Sequence, residues 1–265
     1  MKVGFIGLGN MAKAIIGGIL RDEIVAAKDI IGTAKTAETN DRVQKEYGIT
    51  IMSNNSAVAK ESDVLFLAVK PIFFPEVMAE IKDSIKDTTL VISVAAGKTI
   101  EFIEAGLGNP KLKIVRCMPN TPALVGEGCT GVSINSNVDD KDTELAMNIL
   151  SSFGKAYIVP ERLMDVVGAV SGSSPAFVFM FIEAMADGAV AGGMPRKQAY
   201  EFAAQAVLGS AKLVLDTAKH PGELKDMVCS PGGTTIEGVK VLEECGLRGA
   251  VMDAMEAVLE KTKKL

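Results

Sequence analysis

The residues with the most chemistry in them stand late in the chain, where residues 224–238 read LKDMVCSPGGTTIEG and a Ser-Pro-Gly-Gly turn runs into an apolar-periodic segment. Pro231 fixes one φ, and Gly232 and Gly233 let the backbone approach a ligand closely. Thr234 or Thr235 is expected to cap the helix carrying Ile236, Val239, Val241 and Leu242. The free N–H groups of such a helix end favour a carboxylate, through hydrogen bonds and through the helix dipole. The same pattern also describes an ordinary capped turn between two helices, so its meaning depends on the rest of the chain.

A second candidate opens the chain. Residues 2–7 read as a buried strand, Gly7-Leu8-Gly9-Asn10-Met11-Ala12 as a tight turn, and residues 11–20 as a helix. This is GxGxxA between strand and helix, the context in which it signifies dinucleotide binding: Gly7 for the turn, Gly9 for approach to a pyrophosphate, Ala12 for close helix packing. An acidic residue at the end of the second strand, residues 29–33, would take the ribose 2′-OH of NAD. The chain has Thr33-Ala34-Lys35-Thr36 there, a hydroxyl and an ammonium that suit the 2′-phosphate of NADP.

The elements that must position these groups alternate. A polar helix (38–47), a short strand (49–52) and a capped helix starting near Asn54 precede an almost wholly apolar strand at 63–69, as expected in a sheet covered on both faces. That strand ends in Lys70-Pro71, so Ala68, Val69, Lys70 and Pro71 should border the cofactor. A helix at 74–85, a strand at 90–94 with the small turn Ala95-Ala96-Gly97, and a strand at 113–116 follow. The last runs into CMPNTPA, expected as a rigid polar loop lining nicotinamide or substrate. A strand at 131–135, a helix at 139–153 and a strand at 156–159 complete the alternation. Beyond Glu161 strand patterns stop and Ala, Gly, Met and Leu recur at helical spacing, which puts a domain boundary near Pro160: residues 1–161, then 162–265. Ser171-Gly172-Ser173-Ser174-Pro175 is expected to separate two helices, and small residues from Gly188 to Gly193 permit close helix packing.

Composition narrows the function. With 265 residues, 48% hydrophobic and 23% charged, the chain can bury a sizeable core; a net charge of −5 and no Trp argue against nucleic acid. Four cysteines without a CxxC pair argue for reduced thiols and against a metal site. The one histidine, His220, lies in a His-Pro-Gly turn and reads as part of that turn. The first twenty residues are interrupted by Asn10 and Lys13, so a cytoplasmic chain with no membrane span is expected.

Taken together, GLGNMA, AVKP at 68–71, SVAAG at 93–97, RCMPNTPA at 116–123, SGSSPAF and LKDMVCSPGGTTIEG resemble the pyrroline-5-carboxylate reductase family. The resemblance implies an α/β fold with an N-terminal Rossmann-type dinucleotide-binding domain and a C-terminal all-helical dimerisation domain. It implies NADPH-dependent reduction of 1-pyrroline-5-carboxylate, a cyclic imino acid, to L-proline, with NADH as the weaker cofactor, and a homodimer assembled into a larger ring. By position the nucleotide would touch Gly7, Gly9, Asn10, Met11, Ala12, Thr33, Lys35, Asn55, Ala68, Val69, Lys70 and Pro71, with Ala95 beside them. The substrate would meet Ser230, Gly232, Gly233, Thr234 and Thr235, with Glu161 nearby and Thr235 orienting the ring nitrogen. The family often has Gly at Ser174 and Arg at Lys35. A β-hydroxyacid dehydrogenase of similar architecture should carry a lysine on the first long helix of its second domain, and residues 176–193 contain none.

Overall fold

The computed structural model describes residues 1–264. By compactness the chain forms two units, residues 1–173 with the last helical turn from residue 259, and residues 174–258.

The first unit is built on an eight-stranded sheet: β1 (Val3–Ile6), β2 (Ile30–Thr33), β3 (Thr50–Ile51), β4 (Val64–Leu67), β5 (Leu90–Ser93), β6 (Lys113–Met118), β7 (Gly128–Ile134) and β8 (Gly154–Ile158), in the order β3-β2-β1-β4-β5-β6-β7-β8. All neighbours are parallel except β6 and β7. The helices α1 (Asn10–Arg21), α2 (Ala37–Tyr47), α3 (Asn55–Glu61), α4 (Phe74–Ile81), α5 (Ile100–Leu107) and α6 (Asp140–Ser151) alternate with the strands. Because helices cover both faces, β1, β2, β4 and β5 are buried at every position, which is why they read as mostly apolar runs. Two separate cores result. One holds α1 and α6 on the sheet around Phe5 and Phe66, whose rings stack at 4.8 Å; the other holds α4 and α5 around Leu65, Leu67 and Phe74.

Past β8, a short 3-10 turn, α7 (Met164–Val167), a π-helical segment (Gly168–Ser173) and α8 (Ser174–Ala191) form one uninterrupted helical run. The first unit extends beyond the Pro160 junction because Met164 is fully buried and Val167 lies against β7, where a Cβ on Gly131 would come within 2.8 Å of it. The expected separation of helices at Ser171–Pro175 does not occur. Pro175 has no N–H to give the carbonyl of Ser171 four residues earlier, and the chain answers with a wide π turn rather than a break. The Ser171 carbonyl accepts instead from Asn120 Nδ2 at 3.0 Å, while Asn120 Oδ1 accepts the Cys129 N–H at 2.8 Å. Asn120 is therefore a buried, satisfied cross-link.

The second unit contains α8, then α9 (Arg196–Thr217), α10 (Pro221–Val228), α11 (Thr234–Glu244) and α12 (Leu247–Thr262) up to residue 258. α8 and α9 pack through small residues, with Ala186, Ala199 and Ala203 buried between them. Much of their apolar surface stays uncovered within the chain, including Phe179, Met180, Phe202 and Leu215. The run 161–191 is long and apolar enough to cross a membrane by length and composition alone, and 17% of that apolar window is buried within the chain.

Candidate functional site

Pairing sets the ends of four strands level, since Ile6 is opposite both Thr33 and Leu67, and Leu67 is opposite Ser93. The residues that follow these strands thus share the carboxyl edge of the sheet, where open α/β sheets bind ligands. Gly7 ties three of the ends together. Its N–H donates to Thr33 O at 2.9 Å, its φ is +94°, and a Cβ there would stand 2.6 Å from Ala68 O. Only glycine fits.

Gly9 is the N-cap of α1 with ordinary extended backbone (φ −78°, ψ −171°), and no side chain caps the helix. A Cβ on Gly9 would meet nothing within 4 Å, so what this glycine keeps open is space outside the chain. Asn10 and Met11 begin α1 with their N–H groups unclaimed by a cap, and Ala12 is fully buried against the strands. These features fit a dinucleotide pyrophosphate.

The turn after β2 is held by Asn40, whose side chain accepts the Ala34 N–H at 2.8 Å and donates to Ala34 O at 3.3 Å. Thr33 is buried at the strand end and Lys35 is exposed, its Nζ 5.1 Å from the centre of the Phe73 ring. Asn55 opens α3, and its amide donates to the Glu80 carboxylate. After β4, Ala68 donates to Ile6 O at 2.8 Å, Val69 and Lys70 follow, and Pro71 starts a 3-10 turn through Phe73. Ala95 is buried just beyond β5.

In the second unit, residues 230–233 form a tight turn in which the Gly233 N–H donates to Ser230 O at 3.0 Å. Pro231 at the second position and Gly232 at the third, with φ +66°, match a type II turn. Gly233 is the N-cap of α11, and no side chain caps it. The expected threonine cap is thus corrected: Thr234 and Thr235 are the first two helical residues, too far along to bond their own first turn as a cap does. Both are exposed, as is Ser230, and among the described residues neither threonine hydroxyl has a hydrogen-bond partner. Glu237 is the acidic residue in the first turn of α11.

Glu161 belongs to the first unit. Its Oε1 accepts the Ile100 N–H at the start of α5 (2.7 Å) and pairs with Arg116 Nη1 (3.1 Å), while Arg116 Nη2 reaches Asp165 (3.2 Å). Arg116 is 3% exposed, so the two carboxylates supply the charge that its burial requires. Sequence reasoning missed this cluster, although an arginine inside the apolar run of β6 was its signal. His220 caps α10, its Nδ1 accepting the Gly222 N–H at 3.0 Å. Among the described residues no group of three His, Cys, Asp or Glu side chains could hold a metal ion.

Residues 161–265 match the family described as pyrroline-5-carboxylate reductase dimerisation, and residues 2–97 match the family described as NADP oxidoreductase coenzyme F420-dependent. The pyrroline-5-carboxylate reductase of Escherichia coli K12 is 51% identical over 100% of this chain and 98% of its own length. Among solved structures, the pyrroline-5-carboxylate reductase of Coxiella burnetii superposes with a TM-score of 0.90 at 36% identity, covering 99% of this chain and 97% of that one. The Plasmodium falciparum pyrroline carboxylate reductase, solved with NADP bound, gives a TM-score of 0.89 at 34% identity over 100% of this chain and 97% of the other. The chain belongs to the pyrroline-5-carboxylate reductase family.

Proposed function

We propose that this chain is an NADPH-dependent oxidoreductase that reduces 1-pyrroline-5-carboxylate to L-proline. One observation carries the reading. α2, α3, α5, α6 and α10 are capped by side chains and α4, α7 and α9 start uncapped on Phe73, Leu163 and Pro195, whereas α1 and α11 start on a glycine with no side-chain cap, each after a glycine turn. These two helix ends supply two seats for anions, one in each unit, and the reaction needs two: a pyrophosphate and a ring carboxylate.

On the cofactor side, Gly7, Gly9, Asn10, Met11 and Ala12 would take the pyrophosphate and Thr33 and Lys35 the 2′-phosphate. Asn55, Ala68, Val69, Lys70, Pro71 and Ala95 would border the remainder. When bound, NADPH supplies a hydride from nicotinamide C4. On the substrate side, Ser230 and the backbone of Gly232, Gly233, Thr234 and Thr235 would anchor the carboxylate, and Thr235 Oγ1 would hold the ring nitrogen. With the imine protonated beforehand by water, that oxygen accepts the iminium N–H, and addition of the hydride pair to the neighbouring carbon leaves a neutral ring amine. Anchoring the anion and aligning the C=N bond is catalysis by orientation. Glu161 would act indirectly, by holding the start of α5 and neutralising Arg116.

The family match over 161–265 supports association through the helical part, with residues 1–161 as the nucleotide domain and 162–265 as the substrate and dimerisation domain. A second copy would cover the exposed apolar faces of α8 and α9, and dimers would assemble into a ring. The free thiols fit a cytoplasmic setting. The test is purified protein with NADPH and 1-pyrroline-5-carboxylate. Loss of NADPH absorbance that requires the imine, with one proline formed per NADPH and slower turnover with NADH, is expected. No imine-dependent oxidation, or faster turnover of a six-membered cyclic imine, would overturn the proposal.

A further inference from the structure

Lys35 stands just after β2 and Phe73 in the turn after β4, and these strands flank β1, whose end carries the pyrophosphate turn. The two side chains meet across that edge, Nζ to ring centre 5.1 Å. Among the described residues no carboxylate pairs with Lys35, so the ring is the partner its charge has. The ring sits on a rigid support: the Phe73 N–H donates to Lys70 O at 2.9 Å, Pro71 fixes the start of the turn, and the adjacent Phe74 is fully buried. Phe73 itself is 36% exposed, an aromatic face left at the surface beside the expected nucleotide site.

We propose that Phe73 is a specificity-determining positioning residue for NADPH, its ring holding the Lys35 ammonium where the 2′-phosphate binds. This rests on the NADPH reading above. A lysine has a flexible four-carbon stem and loses rotamer freedom when it grips a phosphate; a cation already held over a ring has less to lose. One face of the ammonium meets the ring and the opposite face keeps donors free, so phosphate adds without displacing the contact. NADH has no 2′-phosphate and gains nothing from it.

The test is the dissociation constant of NADPH and of NADH for wild type, Phe73→Leu, Phe73→Tyr, Lys35→Ala and the Lys35→Ala/Phe73→Leu double variant. Phe73→Leu is expected to weaken NADPH roughly two- to fivefold, the range of a surface cation–π contact, and to leave NADH unchanged. Phe73→Tyr should retain the wild-type ratio, and Phe73→Leu should add nothing once Lys35 is alanine. Equal weakening of both cofactors by Phe73→Leu would mean that the ring packs on a part of the nucleotide they share. A change of ratio that persists in the Lys35→Ala background would mean that Phe73 acts without Lys35. Either result overturns the inference while leaving the NADPH reading intact. An unchanged ratio in Lys35→Ala alone would instead refute the role of Lys35 in NADPH preference, and this inference with it.

Discussion

Alanine at Gly9 separates a ligand-facing glycine from a fold-facing one. A Cβ at Gly9 meets nothing within 4 Å and the backbone there is extended, so alanine introduces no clash and no strain. Alanine is a poorer N-cap than glycine by several tenths of a kcal/mol, and the stiffer unfolded chain returns a similar amount. The net change in stability should stay within about 0.5 kcal/mol, or about 2 °C in Tm for a chain this long. The methyl nevertheless occupies the space in front of α1, where a pyrophosphate oxygen would accept the Asn10 and Met11 N–H groups. Losing one such charge-assisted bond costs about 1.5–3 kcal/mol, so NADPH should bind roughly tenfold to 150-fold more weakly. Gly7→Ala provides the contrast. Its Cβ would press on Ala68 O at 2.6 Å with φ at +94°, so stability and binding should fall together. Thermal melts and NADPH titration of both variants form the assay. Unchanged NADPH affinity in Gly9→Ala would refute the assignment of the α1 terminus to the pyrophosphate.

Thr235→Val removes a hydroxyl that caps nothing, so Tm should hold while kcat/KM for the imine falls roughly tenfold to a thousandfold and NADPH affinity stays put; unchanged kcat/KM would exclude the hydroxyl from the reaction. Asp63 accepts the Lys2 backbone N–H at 2.8 Å and pairs with Lys86 at 3.0 Å, which together hold its pKa below the usual carboxylate value. A depressed folded pKa stabilises above the unfolded value of about 3.9 and is lost as pH falls through the folded one. The stability difference between wild type and Asp63→Asn in urea should therefore be full at pH 7 and shrink below about pH 4, and a pH-independent difference would contradict this origin. Light scattering should give at least a dimer at micromolar concentration, and a monomer would leave Phe179, Met180 and Leu215 without the cover proposed for them.

The nucleotide-binding half was legible because parallel strands buried on both faces read as apolar runs, and because the glycine turn sits at the first strand's end. Both signals are local. What the sequence hid was mostly contact made at a distance. Pro175 pointed to a break, but Asn120, 51 residues away from Ser171, takes the carbonyl that proline leaves free. The Arg116 cluster went unread for the same reason, since the Glu161 carboxylate reaches across 61 residues to Ile100 and across 45 to Arg116. The threonine cap failed by one position, since Gly233 itself turns the chain into α11. Cap residues with a polar side chain, such as Thr36, Asn54 and Asp139, leave a stronger mark than a bare glycine does.

The most direct test of hydride transfer to the cyclic imine is isotopic. Purified protein is given NADPH deuterated at both C4 positions together with 1-pyrroline-5-carboxylate, and the proline formed is read by NMR. The account predicts one deuterium per proline, on the ring carbon beside nitrogen that does not bear the carboxylate, with one NADP formed for each. Proline lacking deuterium at that carbon, or NADP formed without proline, would contradict it.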